Sequence, residues 1–478
     1  MLKGLEIVEL KMSELRMDNL TFRIDSEYLK KDYLKNISSL KSKKHIRLKD
    51  AIEHLSGGAT PLGANYQTYG IKFLRVQNIM QNYFNLNDVV YINAKQDEEI
   101  KRSRLKLKDV LLTITGVSYG KSSTVNPELV GANINQHSVK ITLNDKLNPY
   151  YLSTFLNAKY GKMQSDKNIV GVTRPALDYQ VIKNFIVPSF NEKFQNGIEK
   201  LILNSQLLIL NSKKTYTKAE NLLLEEIGLQ NFTPSKEPVN IKSFKDSFGT
   251  SGRLDAEHYQ VKYDIIENTF DKFKRIKLFD LVISPISSGT TPKAGGNAYT
   301  NSEEGIPFVR AVDLKGGEVI TSNFKYLKHN IHNGILKRTQ LKKDDVLLSI
   351  AGTVGRSSIF KHNFEANINQ AVSILRFKEK EVKRLYLVAF FNSSLGKIFI
   401  SKYSRQGVQT NLSLTEIGNL SIPIIDYKKQ QQIADLIEQS FTLKKQSEHL
   451  LEVAKRAVEI AIEENEEIAL TYINQETK

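Results

Sequence analysis

Gly116-Val-Ser-Tyr-Gly120-Lys121-Ser122 is the stretch that most invites a chemical reading, because a glycine turn ending in lysine and serine is a common cradle for phosphate. A nucleotide-binding loop of that kind keeps four residues between its glycines, and here there are three. A second such stretch, Gly352-Thr-Val-Gly355-Arg356-Ser357, is shorter still. Each missing residue removes a backbone N–H from the cradle. The spacing therefore argues against an ATP site and for a glycine turn that offers Lys121 and Arg356 to some phosphate. Asn148-Pro149-Tyr150-Tyr151 lacks the second proline of the Asn-Pro-Pro-Tyr tetrad that grips a flipped base, and no glycine-rich motif for S-adenosylmethionine accompanies it. It reads instead as a helix start, with Asn148 as cap and Pro149 in the first turn. Glu99-Ile-Lys101 is the tail of a carboxylate–lysine nuclease motif without its aspartate, and His329 and His332 stand alone as a possible ligand pair. The chain has no cysteine, which excludes thiolate zinc sites, iron–sulfur clusters, disulfides and cysteine nucleophiles. No catalytic set closes, so the expectation is a non-enzyme with no metal.

What remains suits a polyanionic partner. Lys+Arg number 68 against 52 Asp+Glu, a net charge of +16, which favours nucleic acid. The greasiest run, 385–400, is interrupted by Asn392, Ser393, Ser394, Gly396 and Lys397, too polar to cross a bilayer, and the N-terminus lacks a secretory apolar region. A cytoplasmic protein with no membrane partner is expected. Asn and Gln pair bidentately with adenine, Arg and Lys with guanine or phosphate. The candidate DNA contacts in the first half are Thr60, Arg75, Gln77, Asn78, Tyr119, Lys121, His137 and Arg174. In the second half they are Thr291, Lys293, Arg310, Asp313, Arg356, Arg405, Gln409, Thr410 and Asn411. Asn133-Ile-Asn135-Gln136 and Asn367-Ile-Asn369-Gln370 occur in both halves, and that sameness favours buried scaffold bonds over sequence reading. Arg23, Asp25 and Glu27, with Arg253, Asp255 and Glu257, read as ion-paired structural elements.

The elements that position these residues come in duplicate. Arg23-Ile-Asp25-Ser-Glu27 recurs as Arg253-Leu-Asp255-Ala-Glu257, and Gly58-Ala-Thr60-Pro61 as Gly289-Thr-Thr291-Pro292. Phe73-Leu-Arg75 recurs as Phe308-Val-Arg310, and Asp109-Val-Leu-Leu112 as Asp345-Val-Leu-Leu348. Gly171-Val172 matches Gly407-Val408, and Pro188 and Pro423 each precede a long helical pattern. Order and spacing together mark a tandem duplication. Residues 62–72 differ from 293–305, and 80–104 from 315–340, by recognition loops diverging or by neutral drift. Strands are predicted near 110–115, 346–350, 139–143 and 373–377, and short helices at 149–158 and 384–392. Long helices are predicted at 191–227 and 428–467. Heptad seams run through Leu201, Leu208 and Leu222 in one and Leu436, Leu443 and Leu450 in the other. The expected fold class is α+β: two mixed domains joined by two long antiparallel coiled-coil helices in a pseudo-two-fold tandem repeat. The expected boundaries are 1–190 for the first recognition domain, 191–230 for the central spacer helix, 231–427 for a linker and the second recognition domain, 428–467 for the C-terminal spacer helix, and 468–478 for a tail.

This arrangement resembles the specificity subunit of type I restriction–modification systems over about 5–467. The resemblance rests on the Gly-x-Thr-Pro turns, on the Asp-Val-Leu-Leu strands with their glycine turns, and on the elements around Gly171-Val172 and Gly407-Val408-Gln-Thr-Asn-Leu412. The first copy departs at Arg174-Pro175, where the second has Thr410-Asn411. The resemblance implies two target recognition domains on double-stranded DNA and a bipartite, non-palindromic target. It also implies two methyltransferase subunits and restriction subunits as partners, with S-adenosylmethionine, ATP and Mg bound by those partners and not by this chain. The alternatives that stay open are a recognition subunit of a related type II or other phage-defence system, and a non-catalytic coiled-coil scaffold.

Overall fold

A computed structural model describes residues 8–16, 19, 22–63, 65–171, 175–237, 239–293, 296–322, 324–404 and 410–477. The chain divides into two compact units. Residues 1–210 with 443–478 make the first, and 211–442 make the second. These units cut through both predicted spacer helices, because each half-helix buries its apolar side in the unit it touches.

The first unit is built on a four-stranded antiparallel sheet in the order Ile52–Gly57, Ser138–Leu143, Val110–Thr113, Ser122–Thr124. Every residue of Val110–Thr113 is buried, as a strand covered on both faces requires. A smaller sheet sets Ile71–Leu74 between Val90–Ile92 and Asn133–Ile134, the last pairing parallel. The second unit repeats both. Its main sheet places Ser287–Ser288, Val372–Leu375, Val346–Ser349 and Ser357–Ile359 in the same order, then adds a hairpin, Leu314–Lys315 and Gly317–Val319, from a segment unlike the first copy.

Beneath each sheet the same hydrogen bonds recur. Asn157 Nδ2 donates to the Ser122 carbonyl at 2.8 Å, and Asn392 Nδ2 to that of Ser357 at 2.8 Å. Tyr151 and Tyr386, both fully buried, donate their hydroxyls to Pro188 and Pro423 at 2.9 and 2.6 Å. Helix Pro149–Asn157 starts as expected, with Asn148 Oδ1 accepting from the N–H groups of Tyr150 and Tyr151. The Asn-Pro-Tyr-Tyr run is thus a capped helix start.

The long helices are Glu192–Ile227 and Tyr427–Glu463, 36 and 37 residues, each about 55 Å at 1.5 Å per residue. The second is shorter than predicted. It stops before Asn465, whose side chain caps a separate helix, Glu466–Glu476, with Ala469 and Ile473 buried where a tail was expected. In the first unit the helices run antiparallel, Asn191 bonding Glu466 while Ser205 meets Ser447. In the second unit Ser212 meets Ser440 while Lys429 pairs with Glu226, again antiparallel.

The buried seam is displaced from the predicted leucines. Ser205 and Ser212 lie four residues beyond Leu201 and Leu208, and Ser440, Ser447 and Ala454 four beyond Leu436, Leu443 and Leu450; these are buried, together with Ile202, Ala219, Leu223, Ile437 and Val458. Leu201 is buried beside the seam, whereas Leu208, Leu222, Leu436, Leu443 and Leu450 are only partly covered. No helix among the described residues is long and apolar enough to cross a membrane.

Candidate nucleic-acid interface

One end of each main sheet gathers four loops. In the first unit they are the Gly58-Ala-Thr60-Pro61 turn, the glycine turn 114–121, the 135–137 corner and the described residues 170, 171, 175 and 176. Gly58 runs so close to the corner that a Cβ would collide with the Asn135 carbonyl, and Gly289 stands in the same position over Ile368. Ala59 N–H donates to the Ile134 carbonyl at 3.0 Å, and the Thr60 hydroxyl donates to Gln136 Oε1. Ile114 N–H reaches the His137 carbonyl at 2.9 Å, and Gly116 N–H reaches that of Pro175 at 3.1 Å. The Thr115 hydroxyl meets His137 Nδ1 at 2.7 Å. In the second unit Ile350 N–H donates to Ala371, Gly352 N–H to Thr410 and Leu412 N–H to Ile350. Thr291, Gln370, Arg356, Thr410 and Asn411 are thereby drawn to the matching end.

The fourth loop is anchored from outside. Arg23 grips Asp25 through two bonds of 2.7 and 2.8 Å, and its remaining nitrogen donates to the carbonyls of Lys167 and Ile169 at 3.3 and 3.0 Å. Those carbonyls end helix Lys159–Asn168, directly before the loop, where a cation also complements the helix dipole. The guanidinium beside it holds the Asp25 carboxyl down at about 2. Arg253 repeats the device with Asp255 and the Tyr403 carbonyl.

The candidates from sequence separate into presented and embedded residues. Thr60, Gln77, His137, Thr291, Lys293 and Asn411 are exposed, and Arg75, Lys121, Arg310, Arg356 and Thr410 are partly so. Asn78 and Asp313 are embedded at matching positions, accepting from the N–H groups of Arg75 and Arg310 and holding a tight turn. Neither is available to a base. Tyr119 spends its hydroxyl on Asp166 at 2.8 Å, and burial with that carboxylate pushes its pKa up. Arg174, Arg405 and Gln409, like Val172, Gly407 and Val408, lie outside the described residues.

Asn133 and Asn367 are scaffold, fully buried and accepting from Ser103 and Thr339 at 2.7 and 3.1 Å. Gln136 and Gln370 are different. They follow the buried Asn-Ile pair but are exposed at the corner, a distinction visible only once the chain leaves the sheet. His332 is buried against Asn367, and burial lowers its pKa, so it belongs to the core.

Chemically, both ends present amides, hydroxyls and cations at the edge of a rigid frame, and the first adds the His137 imidazole. Among the described residues no group of three His, Asp or Glu is placed to hold a metal ion. Such a surface suits binding to base edges and phosphates.

Residues 271–453 match the family model described as type I restriction modification DNA specificity domain. Among curated proteins the chain is 25% identical over 139 residues to the type I restriction enzyme EcoBI specificity subunit of Escherichia coli, spanning 29% of each chain. It is 22% identical over 433 residues to the MjaX specificity subunit of Methanocaldococcus jannaschii, covering 86% of this chain and 90% of that one. Among solved structures, the type I restriction–modification S subunit from M. genitalium aligns with 90% of this chain and 95% of its own, at 12% identity and a TM-score of 0.38.

Proposed function

We propose that this chain, residues 271–453 of which match the model of the type I restriction modification DNA specificity domain, is as a whole the DNA sequence-specificity subunit of a type I restriction–modification complex. One observation carries the reading beyond the matched residues. The two units share a hydrogen-bonded frame and the same four-loop end, yet present different side chains there: Thr115 and His137 in one stand where the other has Ala351 and Ala371. A frame kept constant under unlike contacts is what reading two different half-sites requires, so the target is bipartite and non-palindromic.

The chain itself performs no chemistry. It directs two methyltransferase subunits, and with them restriction subunits, which bring S-adenosylmethionine, ATP and Mg, in the cytoplasm. The test is methylome sequencing of cells carrying this chain with its neighbouring methyltransferase gene, against cells in which it is deleted. A split adenine-methylation motif should vanish on deletion. A motif that persists unchanged would mean that another chain directs the methyltransferase.

A further inference from the structure

Beside each four-loop end lies a short basic turn that the scaffold only half explains. Lys101–Ser103 and Lys337–Thr339 are single 3-10 turns. They stand 236 residues apart, the same offset as Asp109 and Asp345, inside segments whose sequences are otherwise unrelated. The third position has an internal reason to recur. Ser103 Oγ donates to Asn133 Oδ1 at 2.7 Å and to the Ile100 carbonyl at 2.9 Å, and Thr339 does the same to Asn367 and Leu336 at 3.1 and 3.2 Å.

The two cations ahead of it have no such reason. All four are exposed. Arg102, Lys337 and Arg338 make no ion pair among the described residues, and Lys101 has only Glu98 at 2.8 Å, with both side chains largely in solvent. A pair of that kind holds a cation weakly.

The place of the turns gives the cations a use. Ser56 Oγ donates to the Arg102 carbonyl at 3.5 Å, so the first turn flanks the strand Ile52–Gly57 that runs straight into the Gly58 turn. The second turn packs against Ser287–Ser288, which runs into the Gly289 turn. Each four-loop end thus has a pair of exposed cations at its shoulder, next to loops that differ between the units.

We propose that Lys101 with Arg102, and Lys337 with Arg338, are matched phosphate clamps that seat the DNA backbone beside each reading end without contributing to base choice. The proposal rests on the DNA-reading function above. It assigns the clamp to residues the two copies share and leaves specificity to those they do not.

The test is equilibrium binding of the full chain to duplex DNA over a series of salt concentrations. Wild type is compared with the K101Q/R102Q/K337Q/R338Q variant and with a control, K106Q/K342Q. Lys106 and Lys342 are also exposed and recurrent, but they lead into Val110 and Val346, at the far end of the same sheets. For every phosphate that a cation no longer neutralises, the slope of log affinity against log salt should fall by about 0.9. The fourfold variant should therefore show a shallower slope and weaken equally on specific and unrelated duplexes, with an unchanged methylation motif. The control should match wild type. A fourfold variant with the wild-type slope, or with an altered motif, overturns the clamp while leaving the reading function intact. Wild-type binding that is absent or flat with salt overturns both.

Discussion

His258 sits among Tyr259 and Tyr403 at 7% exposure, its Nδ1 donating to the Lys402 carbonyl at 2.7 Å. Burial lowers its pKa below the ordinary 6.5, helped by the charges of Arg253 and Lys402 and opposed by the carbonyl bond. The unfolded chain therefore takes up a proton at a higher pH than the folded one, and stability must rise with pH across that interval. Its contribution is complete above about pH 6.5 and is lost as pH falls toward the lower folded value. Thermal melts of wild type should shift downward on acidification below that point, and His258→Gln should remove that part of the slope. Identical pH profiles would show that the ring takes up its proton at the same pH in the folded and unfolded chain. None of this was legible in the sequence, where His258 is only a histidine after Glu257. The same holds for Asn78 and Asp313. Their types are those of base-reading side chains, but a turn that needs its N–H capped consumes them. Residue type announces hydrogen-bonding capacity; only backbone geometry says whether that capacity is already spent.

At the scale of elements, the long helices show what periodicity conveys and where it stops. Their existence, and the short helices ahead of them, followed from spacing alone. The face did not, because leucine at 201, 208 and 222 outweighs serine at 205 and 212 in any apolar count, while the buried seam contains the serines. The reason is distance. Ser212 Oγ donates to the Ser440 carbonyl at 2.8 Å and Ser440 Oγ to that of Ser212 at 2.9 Å, which requires backbones closer than two leucines permit. Ser447 Oγ likewise reaches the Ser205 carbonyl at 2.9 Å. Ser440→Leu should therefore overpack the seam and destabilise by about 1–3 kcal/mol. S212A/S440A removes donors from both sides and should cost less than the sum of its single changes, a coupling that a double-mutant cycle in denaturant reads directly. Additive single changes would show that the two hydroxyls act independently.

For the whole molecule, the duplication is the feature the sequence announces most clearly, because identical short motifs in identical order survive loop divergence. The boundaries of the compact units were not announced, since a helix that serves two cores has no break in its pattern. That difference matters for how specificity can be moved. Residues 250–424 lie wholly within the second unit and include its four-loop end and basic turn, while both long helices stay outside. Tyr386 to Pro423 and Asn392 to Ser357 are bonds internal to that segment, so an exchange carries its own frame with it. Two helix side chains hold its backbone: Gln430 accepts from Lys383 N–H at 3.0 Å and donates to the Glu381 carbonyl at 3.1 Å, and Glu220 accepts from Ser394 N–H at 3.0 Å. Lys361 also pairs with Glu438, and apolar side chains such as Ile433 and Ile437 pack against the segment. A replacement taken from another member of the family, with a glutamine and a glutamate kept at those two helix positions, should fold on them and change one half of the methylation motif. The other half and the gap between them should stay as in wild type, because the residues that present the first reading end are untouched. Loss of both halves together would show that the two units do not read independently.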